Sequence, residues 1–554
     1  MESKTVRMGH IFLLVLVATT CSFIMIGITC LYWNSQCTLL ESENLDILLE
    51  KTFWHTVPSV IAALRKESAV LFQNLSSSEP CLDYLNFNKS SSGRHSRYYL
   101  STPLNTYSVG EVISIYVKMY DHLGQKMSSG GDFIIARLYS NISVAGTTGS
   151  VLDLNNGDYL ITFPLYWEGR AWISVKLYHP AQAISLLRML RENFSHRSAF
   201  KGIFVFKHMR EETNCSCDQS VPTPLCDFTD KTSEVPWFCS KPQELECEHL
   251  KYLQCYTSEE YLLNEEESKL LNSDNILMDI LPAGPASIFV KGKARDTPQT
   301  PCVVKPLKLR HSNGFVFNGI WSPAQCQMQS FHSESTAVQC LKGKQIYLIG
   351  DSTIRQWWDY LVRLIPSLNV FHRGKIRRTD RHLALDFVND IYLQWTPHEL
   401  PWETGEEYIF LNMQPTVNQI NSLFGGPEYI IVLSVGAHFT PYSLKLYIER
   451  LIRIRNALKN LLTRNSETTI ILKTINTRKV YTDILFRSDW LSYQLNKALF
   501  EIFKGMNVGL IDAWDMTIAY NSWAAHPPLQ VVKNEVDLLL SYICSKKKNH
   551  TNVL

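Results

Sequence analysis

Neither sign of charge dominates this 554-residue chain: 54 Lys and Arg stand against 52 Asp and Glu, a formal net charge of +2. That balance gives no electrostatic footprint for nucleic acid, and no nucleic-acid partner is expected. Charge is missing altogether from Ile11 to Trp33, a run of about 23 residues long enough to span a bilayer. Lys4 and Arg7 precede it and predict a cytoplasmic N-terminal side. Residues 1–10 are thus expected as a cytoplasmic tail and 11–33 as a signal anchor, with everything after it lumenal. A long cleaved signal peptide, giving a secreted protein, is the alternative. The 14 cysteines lack a repeated Cys-x2-Cys pair. The cluster from Cys215 to Cys255 is therefore expected to form disulfides rather than a zinc site, and no metal is expected. Cys544 has no close neighbour in sequence, so it is expected to pair with Cys302, Cys326 or Cys340. Sequons at Asn74, Asn88, Asn141, Asn193, Asn214 and Asn549 fit passage through the secretory pathway.

The length suggests three or four domain-sized pieces. Residues 34–98 read as a stem, with a helical pattern over Ser59–Phe72 and serine-rich linkers at Ser76–Ser78 and Ser90–Ser92. From Thr102 to about Phe206 the pattern is all-β. Short runs such as Val112–Met119, Phe133–Leu138, Tyr159–Phe163 and Ala171–Leu177 alternate with turn signals at Asp121–Gly124, Gly146–Gly149 and Asn155–Asp158. A β-sandwich follows from that spacing.

The C-terminal half changes to alternating strands and helices. Tyr429–Val435 is a continuous apolar strand, as in a sheet covered on both faces. Leu444–Leu462 and Asp489–Lys504 read as helices, and Thr469–Thr474 and Val508–Asp512 as strands. This predicts an α/β sheet with helices on both faces. Within it, Gln345–Ile349 reads as a buried strand, Ile354–Val362 as a helix, and Gly350-Asp351-Ser352-Thr353 as the turn between them. A serine at such a turn can attack a carbonyl while unpaired backbone N–H groups hold the oxyanion. It needs a base; His526, before the helix Leu529–Tyr542, is the candidate.

Several motifs resemble known families. Tyr107-Ser-Val-Gly110, Asp121-His-Leu-Gly124, Gly130-Gly131-Asp132, Asn155-Asn-Gly157-Asp-Tyr159 and Trp167-Glu-Gly169 look like the neurexophilin domain, and Cys215–Cys255 resembles the region that follows it. Gly319-Ile-Trp321-Ser, Gly350-Asp351-Ser352-Thr-Ile-Arg355-Gln, Ser434-Val-Gly436-Ala-His438 and His526-Pro527 resemble the PC-esterase group of SGNH hydrolases. The block Gly350–Gln356 is also similar to the nucleophile block of sialate O-acetyltransferases. Together, behind an anchor, these halves resemble the neurexophilin and PC-esterase domain (NXPE) family. The resemblance implies an immunoglobulin-like sandwich with a Cys-rich extension over 99–285 and a flavodoxin-like SGNH domain over 286–554.

It also implies roles. Ser352 would be the nucleophile and His526 the base. SGNH enzymes carry Asp three residues before the histidine; here that position is Trp523. Asp512 or Asp515 would orient the imidazole instead, unless the enzyme runs on a Ser–His dyad or the two carboxylates only cap a turn. The oxyanion donors would be the Ser352 N–H, Gly374, and the loop of Ser434, Gly436 and His438, with His438 either replacing the family's amide or simply packed. Arg355 would bind an acidic sugar or pair with Asp359 four residues on. Lys375, Arg377, Arg378 and Arg381 make a basic loop that suits an acidic glycan or the phosphates of a nucleotide thioester. The implied function is glycan O-acetylation in the Golgi lumen, with acetyl-CoA as donor and a sialic acid on a glycoprotein as acceptor. The alternatives are a carbohydrate O-acetylesterase and a non-catalytic protein whose sandwich binds a cell-surface partner.

Overall fold

A computed structural model describes residues 63–76, 86–193, 198–217, 220–257, 263–292, 300–308, 313–371, 379–478 and 483–544. The expected tail and anchor, most of the stem, Gly374, Lys375, Arg377, Arg378 and Asn549 lie outside them. Among the described residues no helix is long and apolar enough to cross a membrane.

The strands read between Val112 and Leu177 build two facing sheets. One runs Leu281–Pro282, Arg97–Leu100, Val112–Lys118, Asp158–Pro164, Ser150–Asp153. The other runs Ile320–Pro323, Gly314–Phe317, Ala145–Thr148, Phe133–Ser140, Gly169–His179, Ser287–Lys291, Tyr107–Ser108. Alternate residues point inward because a strand's side chains have a period of two. Ile115, Val117, Ile161 and Phe163 from the first sheet thus share one core with Ala136, Leu138, Ile173 and Leu177 from the second. Burying each large apolar side chain there contributes about 1.5–3 kcal/mol.

Two local readings change. Gly146–Gly149, read as a turn, is mostly strand Ala145–Thr148. Gly146 serves close approach instead: a Cβ there would lie 2.1 Å from the Ala519 carbonyl oxygen. The all-β reading also missed a helix, Ala181–Asn193, whose Ile184, Leu187 and Leu190 are buried at helical spacing.

A third, six-stranded sheet carries the Cys-rich region, pinned by Cys215–Cys239 and Cys226–Cys247. Its last strand, Tyr408–Ile409, comes from the C-terminal half. Likewise Ser287–Lys291, Gly314–Phe317 and Ile320–Pro323 extend a sandwich sheet, although the reading assigns them to 286–554. Shared sheets therefore join the two halves.

The C-terminal half is built on an eight-stranded sheet. Its parallel centre comprises β1 (Gln345–Gly350), β2 (Ile391–Thr396), β3 (Tyr429–Ser434), β4 (Thr469–Lys473) and β5 (Asn507–Ile511), in spatial order 2-1-3-4-5. Antiparallel strands flank it at both edges. The helices used below are α1 (Ser352–Leu364), α2 (Leu444–Arg464), α3 (Asp489–Phe503), α4 (Ala513–Tyr520) and α5 (Leu529–Ile543). Trp357, Trp358 and Leu361 of α1 and Val532, Val536 and Leu539 of α5 pack into the core with β1. Cys340–Cys544 ties the end of α5 to the helix Glu334–Leu341, selecting one of the three expected partners. In such sheets ligands bind outside the carboxyl ends of the strands where the order reverses, here between β1 and β3.

Candidate active site

The tetrad lies at that reversal. Gly350 is the last residue of β1 and pairs with Ser434 of β3. Asp351 caps α1: its carboxylate accepts from the Thr353 N–H at 2.8 Å and the Thr353 hydroxyl at 2.7 Å. Ser352 is thereby the first residue of α1, at the positive end of the helix dipole. Its Oγ lies 2.7 Å from His526 Nε2. This is the contact that a serine–histidine mechanism requires.

His526 sits on the exposed loop between α4 and α5, and each side of that loop is tied down. Asn521 ends α4 in the left-handed conformation, φ 59°. Thr477 donates to the Ser522 carbonyl at 2.9 Å, and Asn476 to those of Ala524 and Ala525 at 3.3 Å. Gln356 of α1 donates to the Pro527 carbonyl at 3.1 Å. Pro528 then caps α5.

Asp512 and Asp515 do not reach His526. Asp512 caps α4 and accepts from Thr474 Oγ1, the Asp515 N–H and Asn313 Nδ2. Asp515 accepts from the Asn313 N–H at 2.6 Å. Both carboxylates thus hold the loop at Asn313 to α4. Burial raises both their pKa values, and the charge of Asp512 raises that of Asp515 further. A group pushed toward its neutral form is a poor counter-ion for an imidazolium. Asp512 occupies the helix cap, one of the sequence alternatives, while Asp515 lies within α4 and holds the Asn313 N–H.

Lys473 was not anticipated. It ends the otherwise apolar β4, is 1% exposed, and donates to Thr353 Oγ1 at 3.0 Å and the Thr474 carbonyl at 3.3 Å. Burial alone would raise the pKa of Asp351. The Lys473 cation, with the hydrogen bond from Thr353, outweighs it and holds the carboxyl below its usual range. The buried Glu535 of α5 also feels Lys473; it accepts from the Trp357 indole at 2.7 Å, and burial raises its pKa. The signal was available: one cation closing a strand of buried apolar residues.

The loop after β3 carries Ser434, Gly436 and His438. Gly436 fits closely, since a Cβ there would lie 2.6 Å from Ile475. His438 Nδ1 accepts the Glu403 N–H at 3.0 Å, which leaves the ring proton on Nε2. Burial, then His398, pushes its pKa well down, so the ring stays neutral. It stacks on Trp402, with centroids 4.5 Å apart. Arg478 clamps this loop through the Ala437 carbonyl and Thr440 Oγ1. His438 is thus a packed, neutral ring. The Arg355 guanidinium lies over the Trp395 ring at 5.7 Å, rather than in a helix-surface pair with Asp359. A cavity of about 90 Å³ opens beyond β2, lined by Arg381, Thr396, Asn412, Gln414 and Gln419 among others. Among the described residues no group of three or more His, Cys, Asp or Glu is placed to hold a metal. The sequon residues Asn88, Asn141, Asn193 and Asn214 are exposed, as is Asn74 at the end of the helix 63–76.

Comparison with known proteins matches both halves. Residues 321–544 match the family described as "NXPE family member 4-like, C-terminal domain", and residues 112–269 match "Neurexophilin". The chain belongs to the NXPE family. The first match spans β1 to α5, and so holds both Ser352 and His526. Protein trichome birefringence-like 36 of Arabidopsis thaliana is 32% identical over 80 residues, 14% of this NXPE chain and 21% of that protein. The chain therefore spans about a fifth of that relative's length. Among solved structures, the Lin-41 filamin domain matches at 18% identity over 16% of this chain and 80% of its own, with TM-score 0.13. The Escherichia coli adhesin FdeC matches at 14% identity over 36% of this chain and 66% of its own, with TM-score 0.14. At such scores neither likeness bears on the fold.

Proposed function

We propose that this NXPE protein is a glycan O-acetyltransferase with an SGNH-type serine–histidine site. It would act in the Golgi lumen, with acetyl-CoA as donor and a sialic acid on a glycoprotein as acceptor. The observation that carries the reading is the 2.7 Å contact of Ser352 Oγ with His526 Nε2 at a helix N-terminus on the β1–β3 reversal. Ser352 Oγ attacks the thioester carbonyl carbon as its proton passes to His526 Nε2. The Ser352 N–H and the His438 Nε2–H are the donors for the oxyanion. The C–S bond then breaks, and the thiol leaves with the proton from His526. In the second half a sugar hydroxyl gives its proton to His526 and attacks the acyl-serine; Ser352 recovers that proton as the ester departs. Arg381 and its polar neighbours would take an acidic sugar beside the strand ends. The four disulfides among the described residues fit an oxidising lumen.

The test uses purified full-length chain, labelled acetyl-CoA and a sialylated glycoprotein, with acetylated sugar read by mass spectrometry. Transfer is expected, and Ser352→Ala and His526→Ala should each abolish it. The double variant should be barely worse, because the pair acts as one unit. Asp512→Asn and Asp515→Asn should each cost less than about tenfold, against about 10⁴-fold for a triad acid. Release of acetate to water without transfer would make the protein an esterase. Unchanged transfer by folded Ser352→Ala protein would remove the mechanism.

A further inference from the structure

From Lys66 onward the chain forms one compact unit, and within it the elements bearing His526 rest against the sandwich. The Trp523 ring, three residues before His526, lies 5.7 Å from the Tyr178 ring at the end of a sandwich strand. Tyr178 is 2% exposed and packs edge-on against Phe133 at 5.8 Å. Phe133 in turn meets Trp514 of α4 at 6.4 Å and Tyr493 of α3 at 5.2 Å. Helix α4 is fastened to the same sandwich sheet. Arg137 Nε donates to the Ala519 carbonyl at 3.0 Å, and Thr148 Oγ1 to that of Asp515 at 3.3 Å. Gly146 has no side chain where Ala519 comes close.

We propose that Trp523 and Tyr178 are positioning residues for His526, so that the β-sandwich is a working part of the catalytic site. The loop is anchored from both sides. Thr477, Asn476 and Gln356 belong to the C-terminal half and hold carbonyls at Ser522, Ala524, Ala525 and Pro527. Trp523 is the side-chain anchor between them, and it belongs to the interface. Its indole N–H also donates to Asn521 Oδ1 at 2.8 Å, which ties the ring to the left-handed residue that ends α4. The position at which the family's acid would stand is thus turned to the sandwich. A shift of about 1 Å in a reacting group can cost about 10²-fold in rate, so loosening this anchor should be read directly at Ser352.

The inference rests on Ser352 as the nucleophile, and the test separates the two. Full-length chain is labelled with a fluorophosphonate, and the rate at Ser352 is followed against pH. The wild type should label, and Ser352→Ala should not; an unlabelled wild type would overturn the nucleophile and this inference with it. Given labelling, Trp523→Ala and Tyr178→Ala should slow it about tenfold to a hundredfold and move the midpoint of the pH profile. Trp523→Phe and Tyr178→Phe, which keep the ring contact, should stay within about threefold of wild type. Ile161→Ala, elsewhere in the sandwich core, lowers stability and should leave rate and profile unchanged. If Trp523→Ala does not fold, Tyr178→Ala against Tyr178→Phe gives the same reading. Wild-type rate and profile in a folded alanine variant would overturn the proposal, as would an equal loss in Ile161→Ala.

Discussion

Replacing Lys473 with Met should unfold the nucleophile turn from below. Lys473 Nζ is buried and bonded to Thr353 Oγ1, the hydroxyl that also donates to Asp351. Met keeps the aliphatic stem and removes the cation. Asp351 then remains as a buried carboxylate, and the Thr353 N–H and hydroxyl that donate to it carry no charge. Breaking a buried pair in this way costs about 3–5 kcal/mol. Asp351→Asn should cost less, since the amide oxygen still accepts from Thr353 and Glu535 remains near the cation. The double variant should fall short of the sum by about 1–3 kcal/mol, the coupling expected of residues in one network. The pH dependence gives a second reading. In the wild type the Asp351 pKa is depressed, so its stabilisation is present above the unfolded value near 4 and lost as pH falls. Without Lys473 burial raises it, so that stability should instead be lost as pH rises above about 4. Urea unfolding of the oxidised chain, followed by tryptophan fluorescence from pH 4 to 8, measures both. A cost below about 1 kcal/mol, or additivity within about 0.5 kcal/mol, would refute the network.

Two further outcomes follow from buried groups. Asp489 accepts the Arg478 N–H at 2.7 Å, while its other oxygen is buried without a hydrogen-bond partner, and burial pushes its pKa up to about 7. Its stabilisation is therefore full below about pH 4 and lost as pH rises through 7, up to about 4 kcal/mol; Asp489→Asn should flatten that slope, and an unchanged pH profile would exclude it. Cys340→Ser with Cys544→Ser opens a loop whose ends are 204 residues apart and should cost about 5 kcal/mol in the chain-entropy model. Thermal unfolding that shows a loss below about 1 kcal/mol would place the stabilisation elsewhere.

Where the grammar is local, the chain was readable. The expected helix Leu444–Leu462 is Leu444–Arg464, and the expected strand Tyr429–Val435 is Tyr429–Ser434. A long amphipathic period and an unbroken apolar run each admit one reading. Ser352 was legible for a similar reason, because strand, glycine, capping aspartate and helix follow one another without interruption. What failed depended on distant partners. Gly146 carries a turn residue's signature, yet the neighbour that demands glycine is Ala519, 373 positions later. Asp512 and Asp515 had the right residue type in the right segment, but the group they serve is Asn313, far upstream.

Trp523 stands where the family's acid would be, three residues before His526. A spacing rule for an acid three residues before a histidine assumes that the loop faces only its own sheet. Here a second domain lies against that loop, and the same position carries an indole that faces Tyr178. Orientation of the imidazole can then come from packing and pinned carbonyls instead of a carboxylate. Compensation of the imidazolium charge is a separate requirement, and neither Asp512 nor Asp515 meets it. His526 itself stands at the surface. In a serine–histidine pair built this way the geometry of the base is set by the neighbouring domain. Its reactivity should accordingly respond to changes at Tyr178 more than to changes at either aspartate.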